Sequence, residues 1–115
     1  MDLKMRTREM KDIVVLDLSG RLTMGEPCKS IRDEIHDVLG NGTRKILLNL
    51  GEVTYIDSAG LGELTSAYTS VKNRDGALKL VNLTKRVHDL MQITKLYTVF
   101  EVFDDEKTAI ASFGA

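Results

Sequence analysis

Residues 45–62 read KILLNLGEVTYIDSAGLG. Ile46-Leu47-Leu48 and Leu50 make a short, nearly continuous apolar run. A strand wetted on one side alternates apolar with polar residues, so a continuous run of this length predicts a central strand buried on both faces. Gly51 to Ile56 then connects onward, and from Ser58 to about Asn73 the period changes. Leu61, Leu64, Tyr68 and Val71 recur at three- and four-residue intervals, as on a helix with one apolar side. Thr65, Ser66, Thr69 and Ser70 lie elsewhere on it. A buried strand that opens into a helix is the unit from which parallel sheets are built.

Toward the N-terminus, Leu3 to Met10 mixes apolar with charged residues and predicts an edge strand. Lys11-Asp12 turns the chain into a stronger strand, Ile13 to Ser19, with Val14, Leu16 and Leu18 on one face. Gly20 to Gly25 reads as a loop. Glu26 and Pro27 suit a first helical turn, where proline loses no hydrogen bond. Ile31, Ile35, Val38 and Leu39 form the apolar stripe of that helix, and Gly40-Asn41-Gly42 stops it. Toward the C-terminus, Asp75-Gly76 marks a turn and Ala77 to Asn82 a strand. Thr84 caps a short helix carrying Val87, Leu90 and Met91. Tyr97 to Phe103 reads as a last strand. Asp104, Asp105 and Glu106 place negative charge at the start of a final helix docked by Ala109, Ile110 and Phe113. The predicted order is β-β-α-β-α-β-α-β-α. This is an α/β fold in one domain, residues 1–115, with a mixed, largely parallel sheet flanked by about four helices. In such sheets the strands' carboxyl ends, where loops enter helices, are the expected place for a site.

Composition narrows the function. The 115 residues carry 16 basic and 17 acidic side chains, a net charge of −1, which offers no basic field for nucleic acid. Lys85-Arg86, with Lys72 and Arg74, is the nearest approach to a basic cluster and reads as solvated surface. Trp is absent and aromatics are 5%, so the core is mostly aliphatic. The lone Cys28 cannot form a disulfide framework and reads as a packing or surface residue. The N-terminal MDLKMR lacks the apolar core of a signal peptide, and no apolar run is long enough to span a bilayer. A soluble, cytoplasmic, monomeric chain without metal or cofactor is expected.

The stretch Tyr55-Ile56-Asp57-Ser58-Ala59-Gly60-Leu61-Gly62 bears on three chemistries. A nucleophile elbow needs G-x-S-x-G, but Ile56 occupies the first glycine position. The possible bases, His36 and His88, lie on other predicted helices and read as surface residues. No zinc-ligand spacing is present. For a dinucleotide, Gly60-Leu61-Gly62-Glu63-Leu64-Thr65 ends in Thr, and the acidic residue expected about twenty positions on is replaced by Val81-Asn82-Leu83. Phosphoacceptance fits better. Ser58 opens a helix, where free N–H groups and the positive dipole end stabilise an anion. A phosphate there adds about −1.5 to −2 charge beside Asp57. The residues alone also allow a plain helix cap at Asp57 or Ser58.

At this point the chain resembles the STAS family, the domain of sulfate transporters and anti-sigma factor antagonists. Ile13 to Thr23 (IVVLDLSGRLT) resembles its opening strand and turn, and Ile46 to Gly62 its central strand and D-S-x-G-L-G signature. Leu78 to Asn82 and Leu96 to Phe103 resemble its later strands. Small members of this kind imply an anti-sigma factor antagonist that catalyses nothing. The unmodified form binds an anti-sigma factor that is also a serine kinase, and so frees the sigma factor. The kinase phosphorylates the motif serine, here Ser58, and a serine phosphatase restores the binding form. Asp57, Ser58, Ala59, Gly60 and Leu61 would lie in the docking surface, with Arg21, Thr23 and Met24 approaching from the neighbouring loop. A constitutive adaptor subunit of a transporter or signalling complex is the alternative within the family. Two departures stand out. Asn49 occupies a position usually acidic, and Ala59 one where many members carry a second hydroxyl.

Overall fold

The computed structural model describes residues 3–114. Five strands form one sheet in the order β1-β2-β3-β4-β5: Leu3–Met10, Ile13–Leu22, Lys45–Ile56, Ala77–Val81 and Val102–Phe103. The β1–β2 hairpin is antiparallel and every other pairing is parallel. Helices α1 (Glu26–Gly40), α2 (Ser58–Lys72), α3 (Lys85–Ile93) and α4 (Glu106–Ser112) connect or follow the strands. The α/β class and the element order expected from the sequence are those observed.

Each face of the sheet has its own apolar layer because alternate residues point to opposite sides. Val14, Leu16 and Leu18 of β2, Ile46, Leu48 and Leu50 of β3, and Leu78 and Leu80 of β4 pack with Ile31 and Ile35 of α1, Leu64 and Val71 of α2, and Val87 and Met91 of α3. On the other face Ile13, Val15, Leu47 and Val81 meet Ala109 of α4. The central strand is therefore buried on both sides, as its continuous apolar run requires. Lys79, only 8% exposed, anchors α4. Its ammonium donates to the Ser112 carbonyl at 2.9 Å and to the Ser112 hydroxyl at 3.0 Å, at the helix's negative end.

α4 is too short to cover its face, and a polar cluster fills the remainder. The Arg8 guanidinium holds Asp17 (2.6 Å) and Glu106 (2.6 Å) together, joining β1, β2 and α4. Burial alone would raise the Asp17 pKa, but the Arg8 and Asn49 hydrogen bonds outweigh it and hold the carboxyl below its usual range. Asn49 uses both ends of its amide. It donates to Asp17 at 2.8 Å, and its oxygen accepts from the Gly51 N–H at 3.1 Å and the Asn82 amide at 3.3 Å. An ionised carboxylate could not donate here. Asn49→Asp is expected to cost about 1–3 kcal/mol at neutral pH, by removing a half-buried donor and opposing two carboxylates. The new pair has a raised pKa, so the deficit is present above it and shrinks as pH falls through it. Thermal melts at pH 7 and pH 4 check both signs.

Three boundaries differ from expectation. β3 does not end at Leu50 but runs on to Ile56, paired with β2 across register shifts between Asp17 and Ser19 and between Gly20 and Arg21. β2 likewise reaches Leu22, so the first half of the expected Gly20–Gly25 loop is strand. The two strands thus extend as a ribbon past the end of β4. At the C-terminal side, the expected strand Tyr97–Phe103 is only Val102–Phe103. Leu96–Thr98 is a 3₁₀ turn, entered through Lys95 at φ 61°, and the Leu96 carbonyl accepts from both Val99 and Phe100 N–H groups. β4 has five residues, and its pairing with β5 extends only over Leu80 and Val81. The apolar side chains of this segment reach the core from the turn instead, with Phe100 edge-on to Tyr68 at 5.4 Å between ring centroids.

Candidate functional site

The β2–β3 ribbon ends with Leu22 opposite Ile56, which brings the loop Thr23–Gly25 alongside Asp57 and Ser58. Gly25 enters α1 at φ +96°, a conformation other residues adopt only with strain. Asp57 is the N-cap of α2. One carboxylate oxygen accepts from the Gly60 N–H at 2.8 Å and the other from the Met24 N–H at 3.1 Å. Asp57 N–H also donates to the Leu22 carbonyl at 3.3 Å. A single side chain therefore caps the helix and pins the adjacent loop to it. The Gly60 and Met24 N–H groups hold the Asp57 carboxyl below its usual pKa. A depressed pKa means that this contact is complete above the ordinary carboxylate range and is lost only as pH falls through the lowered value.

Ser58 is the first residue of α2 and is exposed. Asp57 has taken the Gly60 N–H, but the helix terminus retains other unpaired donors and the positive dipole end. Around Ser58 the structure places Ala59, half-buried, with Thr23, exposed Met24 and exposed Arg21 across the ribbon end. Met24 is 76% exposed, an unusual position for a flexible apolar side chain and a suitable one for contact with a partner. Gly60 and Leu61, expected in the docking surface, point inward and are buried. Gly60 lies under the surface: a Cβ there would strike the Leu22 carbonyl oxygen, Ile56 Cγ1 at 2.8 Å and Leu22 Cγ at 2.9 Å. Its lack of a side chain lets α2 approach the ribbon. Gly62, by contrast, is exposed with nothing within 4 Å of such an atom, so it keeps the outer face of α2 flat.

The histidines lie in other settings. His36 is exposed on α1, and His88 on α3 packs edge-on against Tyr97 at 5.4 Å with Nδ1 3.8 Å from Asp89. Cys28 is buried, and burial raises its thiol pKa. Two features were not legible in the sequence. Glu63 of α2, 8% exposed, meets Arg32 of α1 at 2.8 Å. The ring of Tyr55 carries the Arg21 guanidinium at 4.5 Å from its centroid and that of Arg86 at 4.3 Å. Arg21 and Arg86 are 65 positions apart, and no periodicity links them.

The sequence profile of the STAS domain matches residues 4–109. The chain belongs to the STAS domain family. Within this family it is 22% identical over 111 residues to an anti-sigma F factor antagonist of Paenibacillus polymyxa, covering 96% of this chain and 94% of that one. The STAS fold here is similar to that of a Thermotoga maritima protein described as an anti-sigma factor antagonist, with a TM-score of 0.88, 24% identity, and 95% and 93% of the two chains covered. It is also similar to the Bacillus cell-fate determinant SpoIIAA in phosphorylated form, with a TM-score of 0.75, 21% identity and coverage of 95% and 98%. Among the described residues no helix of this STAS domain is long and apolar enough to cross a membrane.

Proposed function

We propose that this STAS protein is an anti-sigma factor antagonist whose unmodified form binds an anti-sigma factor with serine kinase activity, releasing the sigma factor. Phosphorylation of Ser58 by that kinase switches binding off, and a serine phosphatase restores it. The observation that carries this reading is the position of Ser58. It is exposed, first in its helix, and flanked by Asp57, whose carboxylate is committed to two backbone N–H groups. Relatives bearing the antagonist name support it. The rest of the site suits a binding surface that changes charge while keeping its shape. A phosphate at Ser58 adds about two negative charges outside the core, and the helix terminus stabilises it without movement of the strands. The protein acts as substrate and binding partner, not as catalyst, and works in the cytoplasm as a monomer.

The test is to incubate the chain with ATP and the anti-sigma kinase encoded beside it, then map the product by mass spectrometry. A single phosphate on Ser58 is expected. Phosphate on another residue, or none, would count against the switch. Asp57→Ala is expected to lower the melting temperature and to slow phosphorylation, because it frees both the α2 terminus and the Thr23–Gly25 loop. Normal kinetics in a variant that melts early would show that the pinned loop is not part of the kinase's target.

A further inference from the structure

We propose that Arg21, Tyr55 and Arg86 form an acceptor for an acidic segment of the protein partner, extending the docking surface from Ser58 onto the first turn of α3; this rests on the reading of Ser58 as the centre of a partner-binding face. The three residues come from β2, β3 and α3. Both guanidiniums lie over the Tyr55 ring, at 4.5 and 4.3 Å, so the two cations are within about 9 Å of each other and repel. Neither has a carboxylate within ion-pair distance among the described residues. Arg6, Arg8 and Arg32, in contrast, each hold one. Tyr55 holds both guanidiniums at its ring without using their N–H groups in an ion pair, and a guanidinium can bind a carboxylate through two of these at once.

The arrangement also works against local stability. Arg86 and the adjacent Lys85 occupy the first turn of α3, which contains no acidic residue, and cations at that end oppose the helix dipole. Lys85 is relieved by Asp89 at 2.9 Å; Arg86 has only the ring. Charges that burden a fold without an internal partner mark a surface built for an external one. Tyr55 precedes Ser58 by three residues, so their Cα atoms lie within about 10 Å. The cluster and Ser58 therefore lie on neighbouring parts of one ribbon end, and a phosphate there acts on the arginines most strongly at low salt, where the Debye length is longest. It would both repel an acidic partner segment and draw the arginines to itself, which makes the switch a competition between two anions for one pair of cations.

Two measurements on the full chain test this. In the first, a blocked hexaglutamate peptide is titrated into ¹⁵N-labelled protein, with hexalysine as control. The Nε–H signals of Arg21 and Arg86 are expected to shift with hexaglutamate only and to stay put once Ser58 is phosphorylated. Absent shifts, or shifts spread over other basic residues, would overturn the acceptor. In the second, the anti-sigma kinase is titrated against wild type, R21E/R86E and R21K/R86K. At least a tenfold loss is expected for the glutamate pair, with partial retention by the lysine pair. The glutamate pair loses both contacts with the Tyr55 ring but gains an acid at the start of α3, so its melting temperature is expected to stay within a few degrees of wild type. Equal kinase binding by wild type and R21E/R86E would overturn the acceptor and leave the Ser58 switch standing. No complex with wild type would overturn the proposed function, and the peptide titration would then judge the acceptor alone.

Discussion

Ser58→Asp is expected to weaken binding of the proposed anti-sigma kinase by about tenfold to a hundredfold in titration calorimetry, at about 1.4 kcal/mol per factor of ten, while Ser58→Ala is expected to bind as wild type and not to be switched off. The reason is electrostatic. The Asp57 carboxylate already accepts from Gly60 and Met24 and is turned into the protein. A second negative group at position 58 is exposed, so although the helix terminus stabilises it, it presents an added charge to the partner, where opposed like charges cost affinity. Because Ser58 is exposed and packs against nothing, both variants should keep the wild-type melting temperature. Equal affinity of Ser58→Asp and wild type would remove charge as the basis of the switch. Raising the salt concentration should narrow the gap between the variants, since screening acts on exposed charges.

The second large effect is on stability. Gly60→Ala is expected to destabilise by about 2–3 kcal/mol, the cost of forcing a methyl group into a packed contact. At roughly 4 °C per kcal/mol for a domain of this size, melting falls by about 10 °C. Its Cβ would meet the Leu22 carbonyl and the side chains of Leu22 and Ile56, so either α2 lifts off or the ribbon end bends. Both would displace Asp57 from Met24, and kinase binding should fall with stability. Gly62→Ala, two residues along the same helix, is expected to do the opposite and gain about 0.5–1 kcal/mol from helix propensity, because its Cβ meets nothing. Similar melting of the two variants would show that α2 is not seated on Leu22 as described.

The positions of Ser58 and its helix were readable without coordinates. The change of period after Ile56, the apolar run at Ile46–Leu48 and the caps at Asp57 and Thr84 are local signals, each carried by a few adjacent residues. Local hydrogen bonding and the burial of alternate side chains are enough to specify them. The same signals misplaced the ends of β2, β3 and β5. How far a strand extends depends on whether a neighbour is there to pair with it, and that neighbour is remote in sequence. Gly51–Ile56 looks like a connection because its apolar pattern is broken by Gly51 and Glu52. It is a strand because β3 bulges twice, taking up an extra residue each time, and so stays paired with β2. Tyr97–Phe103 looks like a strand by composition, but its N-terminal part has no paired neighbour and closes into a turn.

The sequence by itself determined the order of elements, the double burial of the central strand and the exposed serine at the head of α2, because each follows from residue type and spacing within one element. Tertiary structure alone decided what surrounds that serine. It directed Gly60 and Leu61 inward, tied Met24 to Asp57 across 33 positions, and stacked Arg21 and Arg86 on Tyr55. Those contacts depend on strand register and on the extension of the β2–β3 ribbon beyond β4. Both are products of long-range pairing, in which a shift of one residue turns every side chain to the opposite face.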